Sequence, residues 1–246
     1  MSYKSVLITG ANRGLGFEMV RQLLARESGP EVVFAGCRQP GNAQELGELS
    51  GKDQRLHLLK IDCNDPSTFE GAMKNVRAKV EDNGLNLLIN NAGIYHPSSL
   101  SEVTLEELEV SFRINSIAPL LMTKTFLPLL RSASKKVSGP MSSSRAAVVN
   151  ISSGTGSTGN GEGNFYAYRA SKAALNNIAH TLAYDLKSEG IAVIGICPGW
   201  VRTDMGGQNA KLSPEESIKS VLSVVDGLSE EHTGGFFDRS GQRIPF

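Results

Sequence analysis

Ser5-Val6-Leu7-Ile8-Thr9-Gly10-Ala11-Asn12-Arg13-Gly14-Leu15-Gly16 decides how this 246-residue chain is read. The run Ser5–Thr9 is too apolar to keep one face in water, so it predicts a buried strand of a parallel sheet. Three glycines follow at Gly-x3-Gly-x-Gly spacing, and then a helical pattern begins. Glycines there let the backbone turn sharply and approach a pyrophosphate, whose charge faces the free N–H groups of the helix start. Gly10, Asn12, Arg13, Gly14, Leu15 and Gly16 are therefore candidate cofactor-binding residues. An ordinary glycine-rich turn would look similar, so the reading depends on what surrounds it.

Five more strand-like runs follow, at Val32–Gly36, Leu56–Ile61, Leu85–Asn90, Ala146–Ile151 and Ile191–Cys197, alternating with segments of helical period. Asp65-Pro66 offers an N-cap followed by proline at the first helical position. Thr104–Glu107 and Ser213–Glu216 have capping-box spacing. This alternation predicts an α/β fold, a single-domain doubly wound parallel sheet (Rossmann-like) with helices on both faces. Residues 1–246 would form one domain, with the cofactor half at about 1–150 and the catalytic and substrate loops at about 151–246. The polar stretches Ser132–Arg145 and Ser152–Asn164 read as loops inside it.

Basic and acidic side chains number 25 each, so nothing in the charge favours nucleic acid or an anionic membrane as partner. No apolar run approaches the ~20 residues needed to cross a bilayer, and the opening residues lack a signal-peptide pattern, which predicts a cytoplasmic protein. Cys37, Cys63 and Cys197 lie far apart and the four histidines lack His-x3-His spacing, so no metal site is expected.

A dinucleotide fold presents a group to the adenosine ribose at the end of its second strand. Here that group is Arg38. A guanidinium suits a 2′-phosphate, so Arg38 points to NADP, with Arg13 as a second positive charge beside it. Tyr168 and Lys172 are four apart in a helical segment and share a face. A nearby ammonium would favour the phenolate and lower the phenol's pKa. Ser152-Ser153 ends a strand on the same sheet edge, where one hydroxyl can hydrogen-bond a carbonyl. Asn90-Asn91-Ala92-Gly93 ends another, its small residues leaving room for a cofactor. Asn115 falls inside the long helical segment that starts near Thr104, where a buried amide needs hydrogen-bond partners.

Taken together, these motifs resemble the short-chain dehydrogenase/reductase family over essentially the whole length. Thr9–Gly16, Asn90–Gly93, Tyr168/Lys172 and Pro198-Gly199 match its motifs in order. Within it, Pro198–Gly207 and Gly235–Phe246 are most similar to carbonyl reductases of the sniffer type, although tryptophan is expected where Phe246 stands. The resemblance implies an NADPH-dependent carbonyl reductase acting on a ketone, aldehyde or quinone. In that scheme Tyr168 is the general acid, Lys172 lowers its pKa and holds the nicotinamide ribose, and Ser153 polarises the carbonyl. Asn115 would hold a water in the proton path. Asp62 and the backbone at Cys63 would contact the adenine, Asn91, Ala92, Gly93, Pro198 and Gly199 would line the cofactor, and Val201 and Thr203 would bind its carboxamide. The interval from Ser153 to Tyr168 is about two residues longer than the family's, which leaves Ser152 against Ser153 open. Tyr95–Ser99, Gly154–Asn164 and Trp200–Leu212 would wall the substrate pocket. An NADP-binding redox sensor with little turnover, or alcohol or steroid dehydrogenation, remains the alternative. A homodimer or homotetramer is compatible with the apolar helix faces.

Overall fold

Four strands are buried from end to end: Ser5–Thr9 (β1), Leu87–Asn90 (β4), Ala147–Ile151 (β5) and all but the last residue of Ala192–Cys197 (β6). Val32–Cys37 (β2) and Leu56–Lys60 (β3) complete one half, and Phe236–Asp238 (β7) adds a short edge strand. The computed structural model describes residues 3–159 and 163–246. Its sheet is wholly parallel in the order β3-β2-β1-β4-β5-β6-β7. The order reverses between β1 and β4, which opens a crevice at the carboxyl ends of the strands. The doubly wound, single-domain fold read from the sequence is thus the one observed, with β7 as an unforeseen seventh strand.

Helices cover both faces. Gly14–Leu24 (α1) and Pro214–Asp226 (α7) bury Met19, Leu23, Ile218 and Leu222 on one side. Ser67–Val80 (α3), Ala118–Lys136 (α5) and Tyr166–Leu186 (α6) bury Phe69, Phe126, Leu130 and Ala183 on the other. Gln44–Lys52 (α2) packs beside β3 through Leu46, and Leu105–Phe112 (α4) leads to α5 through a π turn at Arg113–Ile117. Both expected capping boxes are present, with Thr104 and Ser213 each accepting from the N–H three residues on.

Local boundaries depart from expectation in two places. Residues 132–136 are not loop but the last turn of α5, because Ala133 and Ser134 are buried and Ser134 Oγ donates to Glu189 O. Helix α3 starts at Ser67 rather than Pro66, with the Asp65 carboxylate accepting from the Ser67 N–H at 3.1 Å. No helix among the described residues is long and apolar enough to cross a membrane.

At the opposite end from the crevice, one side chain ties three strands. Asn86, 5% exposed, accepts from the N–H groups of Lys4 (3.1 Å) and Ser5 (3.2 Å) and donates to Ser144 O (2.8 Å). Removing it orphans the buried N–H of Ser5, which opens β1, and a carbonyl ahead of β5. Asn86→Ala should lower the unfolding free energy by about 2–4 kcal/mol in urea titrations. A loss under about 0.5 kcal/mol, within the range of neutral surface changes, would show that water replaces the amide.

Candidate active site

The glycine turn is closed by side chains from β4's end. Thr9 Oγ1 accepts from the N–H groups of Asn91 (3.0 Å) and Ala92 (3.1 Å), and Asn91 Nδ2 returns bonds to Thr9 O (2.9 Å) and Gly10 O (3.2 Å). Gly10 has φ +64°, and a Cβ there would lie 2.9 Å from Ala92 Cα. A Cβ on Gly16 would press on Gly10 O and come within 2.6 Å of Asn91 Nδ2. These positions require glycine. Arg13, at the N-cap of α1, makes no side-chain cap, so the helix's first N–H groups are left to face an anion.

This cradle fits a dinucleotide. Gly14 and Leu15 open α1, Asn12 is exposed on the turn, and Arg38 is exposed with no partner for its guanidinium among the described residues. Arg13 behaves differently from expectation: its Nη1 pairs with Asp204 at 3.0 Å, both side chains largely exposed. Its charge is therefore shared with the loop after β6 rather than left for a phosphate alone. Asp62 accepts from the Asn64 N–H, and Cys63 beside it is buried, its thiol pushed up to about 12 by burial and by the Asp62 charge. Beyond β6, the Pro198 carbonyl accepts from Ser217 Oγ (2.7 Å), Gly199 is exposed, and Val201 pairs with Leu212. Thr203 Cγ2 would lie 3.6 Å from a Cβ on Gly14, so this loop sits against the phosphate turn.

The two serines ending β5 separate cleanly. Ser152 is buried, and its hydroxyl donates to Asn176 Oδ1 at 2.6 Å. Ser153 instead acts on the Tyr168 phenol, favouring its charged form, and meets Thr155 Oγ1 at 3.0 Å. Tyr168 projects from the first turn of α6, which follows Asn164 and Phe165 in left-handed conformation (φ 64° and 56°). Such strain in two non-glycine residues persists only where the surroundings hold it. Phe165 is held by its N–H bond to Ser98 O (3.0 Å) and by the Tyr95 ring at 5.5 Å. Tyr95 also meets the Tyr168 ring edge-on at 5.1 Å.

Lys172 lies one turn along α6, buried, with Nζ donating to Ile151 O at 2.7 Å and 5.8 Å from the Tyr168 ring centre. Burial lowers its pKa from 10.5 to about 8. The phenol moves opposite to the sequence expectation. Burial raises Tyr168 to about 12, opposed by the Ser153 hydrogen bond.

Asn115 is fully buried in the π turn. Its Oδ1 accepts from the Ile94 N–H (2.9 Å), and its Nδ2 donates to Ile94 O and Ser171 Oγ (both 3.0 Å). Ser171 Oγ in turn donates to Tyr168 O at 2.8 Å, so Asn115 is connected to the backbone that carries the phenol. Gly93 joins the two halves: a Cβ there would sit 3.2 Å from Asn115 Oδ1 and 3.5 Å from Lys172 Nζ. The structure thus gathers Ser153, Tyr168, Lys172, Asn115 and Gly93 at one edge of the sheet. Thr155, Ser171 and Asn176 carry no motif, and only contacts reveal their part. Residues 160–162 of the expected pocket wall lie outside the described residues.

The family model for short chain dehydrogenases matches residues 4–213. The chain belongs to the short-chain dehydrogenase family, whose members are oxidoreductases. It is 38% identical over 164 residues to the C-signal protein of Myxococcus xanthus, spanning 66% of this chain and 93% of that one. The carbonyl reductase Sniffer of D. melanogaster superposes with a TM-score of 0.97 at 37% identity, over 99% of this chain and 100% of that one. An NADPH-bound carbonyl reductase from chicken fatty liver gives 0.96 at 38% identity, over the full length of both.

The buried ammonium makes a testable demand. The unfolded chain holds the Lys172 proton up to about pH 10.5, whereas the folded chain releases it near pH 8. Between those values the unfolded state binds more protons, so this group adds stability as pH rises and removes it as pH falls. In urea titrations, the stability of wild type relative to Lys172→Met should therefore climb by roughly 3 kcal/mol from pH 8 to 10.5. A difference that stays flat with pH would mean that Lys172 is solvated.

Proposed function

We propose that the chain is an NADPH-dependent carbonyl reductase. The observation that carries this reading is the buried pair on α6, with Lys172 Nζ 5.8 Å from the Tyr168 ring centre, the Ser153 hydroxyl acting on the phenol, and Gly93 leading from the glycine cradle to them. In this reading, Gly10, Asn12, Arg13, Gly14, Leu15 and Gly16 hold the pyrophosphate and Arg38 holds the 2′-phosphate. Asp62 and the Cys63 backbone take the adenine. Asn91, Ala92, Gly93, Pro198 and Gly199 line the dinucleotide, Val201 and Thr203 take the carboxamide, and Tyr168 and Lys172 hold the ribose. Bound there, NADPH supplies a hydride to the substrate carbon.

The protein's own task is to orient the carbonyl and deliver a proton. Ser153 donates to the carbonyl oxygen, and Tyr168 gives that oxygen its proton. A phenol at about 12 keeps its proton at neutral pH but is a weak acid, well above the pKa near working pH that serves a proton donor best. The Lys172 ammonium reduces the cost of the phenolate left behind. Asn115, tied to Ile94 and Ser171, keeps the Tyr168 turn in place and would hold a relay water. NADPH bound to chicken carbonyl reductase, at 38% identity, supports the cofactor, as does the unpaired Arg38 guanidinium.

NADPH oxidation with a panel of ketones, aldehydes and quinones tests the reading. Turnover is expected, and tight NADPH binding with no turnover on any carbonyl would instead favour a redox sensor. Tyr168→Phe should lower kcat by ~10²–10⁴-fold with little change in NADPH affinity. Tyr166→Phe should keep most activity, because that exposed phenol has Ala170 four residues on. The reverse outcome would reassign the acid.

Cofactor choice is tested separately. Arg38→Asp should weaken NADPH binding by roughly ten- to a hundredfold, as expected for lost charge-assisted hydrogen bonds. NADH binding should suffer less. Equal wild-type affinity for the two cofactors would overturn the role of Arg38.

A further inference from the structure

Beyond β7 the chain turns back on itself. The Asp238 carboxylate accepts from the N–H groups of Ser240 (2.8 Å) and Gln242 (2.9 Å), closing a tight turn. Residues 242–244 then return antiparallel to β7, with the Ile244 N–H donating to Phe236 O at 2.8 Å. This hairpin lays Pro245 and Phe246 across the loop that leaves β5. Ser157, 1% exposed, donates its hydroxyl to Pro245 O at 2.6 Å, and Thr158 donates to the Phe246 main-chain oxygen at 2.8 Å. The Phe246 ring meets His180 of α6 at 5.2 Å and Phe236 of β7 at 6.4 Å.

The loop tied in this way begins with Ser153. Its Oγ accepts from the Thr155 N–H, and the Ser157 N–H donates to Gly154 O at 3.1 Å, so Ser153 and Ser157 bracket one tight turn. Within that turn Gly156 lies so near α6 that a Cβ there would be 2.8 Å from Lys172 Cβ. One end of the loop therefore presents the Ser153 hydroxyl that acts on Tyr168, and at the other end Ser157 and Thr158 are bonded to the hairpin. The hairpin lies wholly outside residues 4–213, the span that the family model matches.

We infer that residues 242–246 are a positioning strap for the substrate loop. Pro245 and Phe246 fix Ser157 and Thr158 and, through the 154–156 turn, keep Ser153 Oγ in reach of the Tyr168 phenol. They are positioning residues, acting through that loop and not on the reacting atoms. The inference rests on the carbonyl reductase reading for its kinetic consequence, while its structural part stands without turnover.

The test uses full-length Phe246→Ala, Thr158→Val and Phe246→Trp, with kinetics, NADPH fluorescence titration and amide exchange over residues 153–159. Phe246→Ala and Thr158→Val should each lower kcat roughly tenfold and speed exchange at Gly156 and Ser157 about tenfold, with NADPH affinity within about twofold of wild type. Phe246→Trp keeps a ring between His180 and Phe236 and should retain wild-type kcat and exchange. Thr158 is exposed and its valine variant keeps the side chain's shape, so it decides the matter if Phe246→Ala fails to fold. Unchanged exchange and kcat in Thr158→Val, or NADPH affinity falling in step with kcat, would overturn the strap. So would a Trp variant as impaired as the Ala variant. If wild type turns over no carbonyl, the carbonyl reductase reading falls, and exchange alone still decides whether the strap exists.

Discussion

The reciprocal bonding between Thr9 and Asn91 is the constraint on which the site depends. One hydroxyl accepts two backbone N–H groups from the end of β4, and one amide answers to two carbonyls at the end of β1. The two strands that flank the reversal of strand order are thereby locked at the same height. That lock sets the depth of the glycine cradle, since Gly10 and Gly16 have no room for a Cβ beneath it. It also sets where Gly93 emerges, and hence how the cradle meets Asn115 and Lys172. A sheet that slipped here by one residue would turn side chains to the opposite face and separate the two halves of the site.

The edge that carries Tyr168 and Lys172 works against stability in a specific way. A buried ammonium and a buried phenol are both unfavourable in their charged forms, with Lys172 held by one close hydrogen bond to Ile151 O and the Tyr168 phenol eased by the Ser153 hydroxyl. Two left-handed residues before α6 add backbone strain of order 1–3 kcal/mol each. These costs concentrate within a few residues of the proposed chemistry. The compensating burial lies elsewhere, in the two apolar layers on either side of the sheet. Such a division lets the edge stay poised while the core supplies the folding free energy.

Much of this was legible in the residues because the signals were local. Apolar runs announced the buried strands, glycine spacing announced the cradle, and four-residue spacing put Tyr168 and Lys172 on one face. What could not be read depended on distant partners. Arg13 meets Asp204, 191 residues away, so its charge is not spent as the turn alone implied. Ser152 and Ser153 are chemically identical in sequence, and their distant partners on α6, Asn176 for one and Tyr168 for the other, distinguish them. The direction of the Tyr168 shift follows from how deeply the ring is packed, which spacing does not report. β7 is three residues long, too short for any period to register, and residues 132–136 are polar enough to read as loop until their buried side is seen.

The π turn at Arg113–Ile117 has a consequence for how α4 and α5 relate. A wider turn accommodates one residue more than an α-helix would, and each α-helical residue advances the chain by about 100°. The turn therefore acts as a phase shifter within one continuous rod. It lets α4 aim Ser111 inward on its own schedule while α5 aims Met122 and Phe126 at the sheet. Winding residues 113–117 as ordinary α-helix, with none removed, would rotate one half against the other by about 100° and swing Asn115 away from Ile94. The length of that turn, more than its composition, keeps the amide beside the proposed proton path.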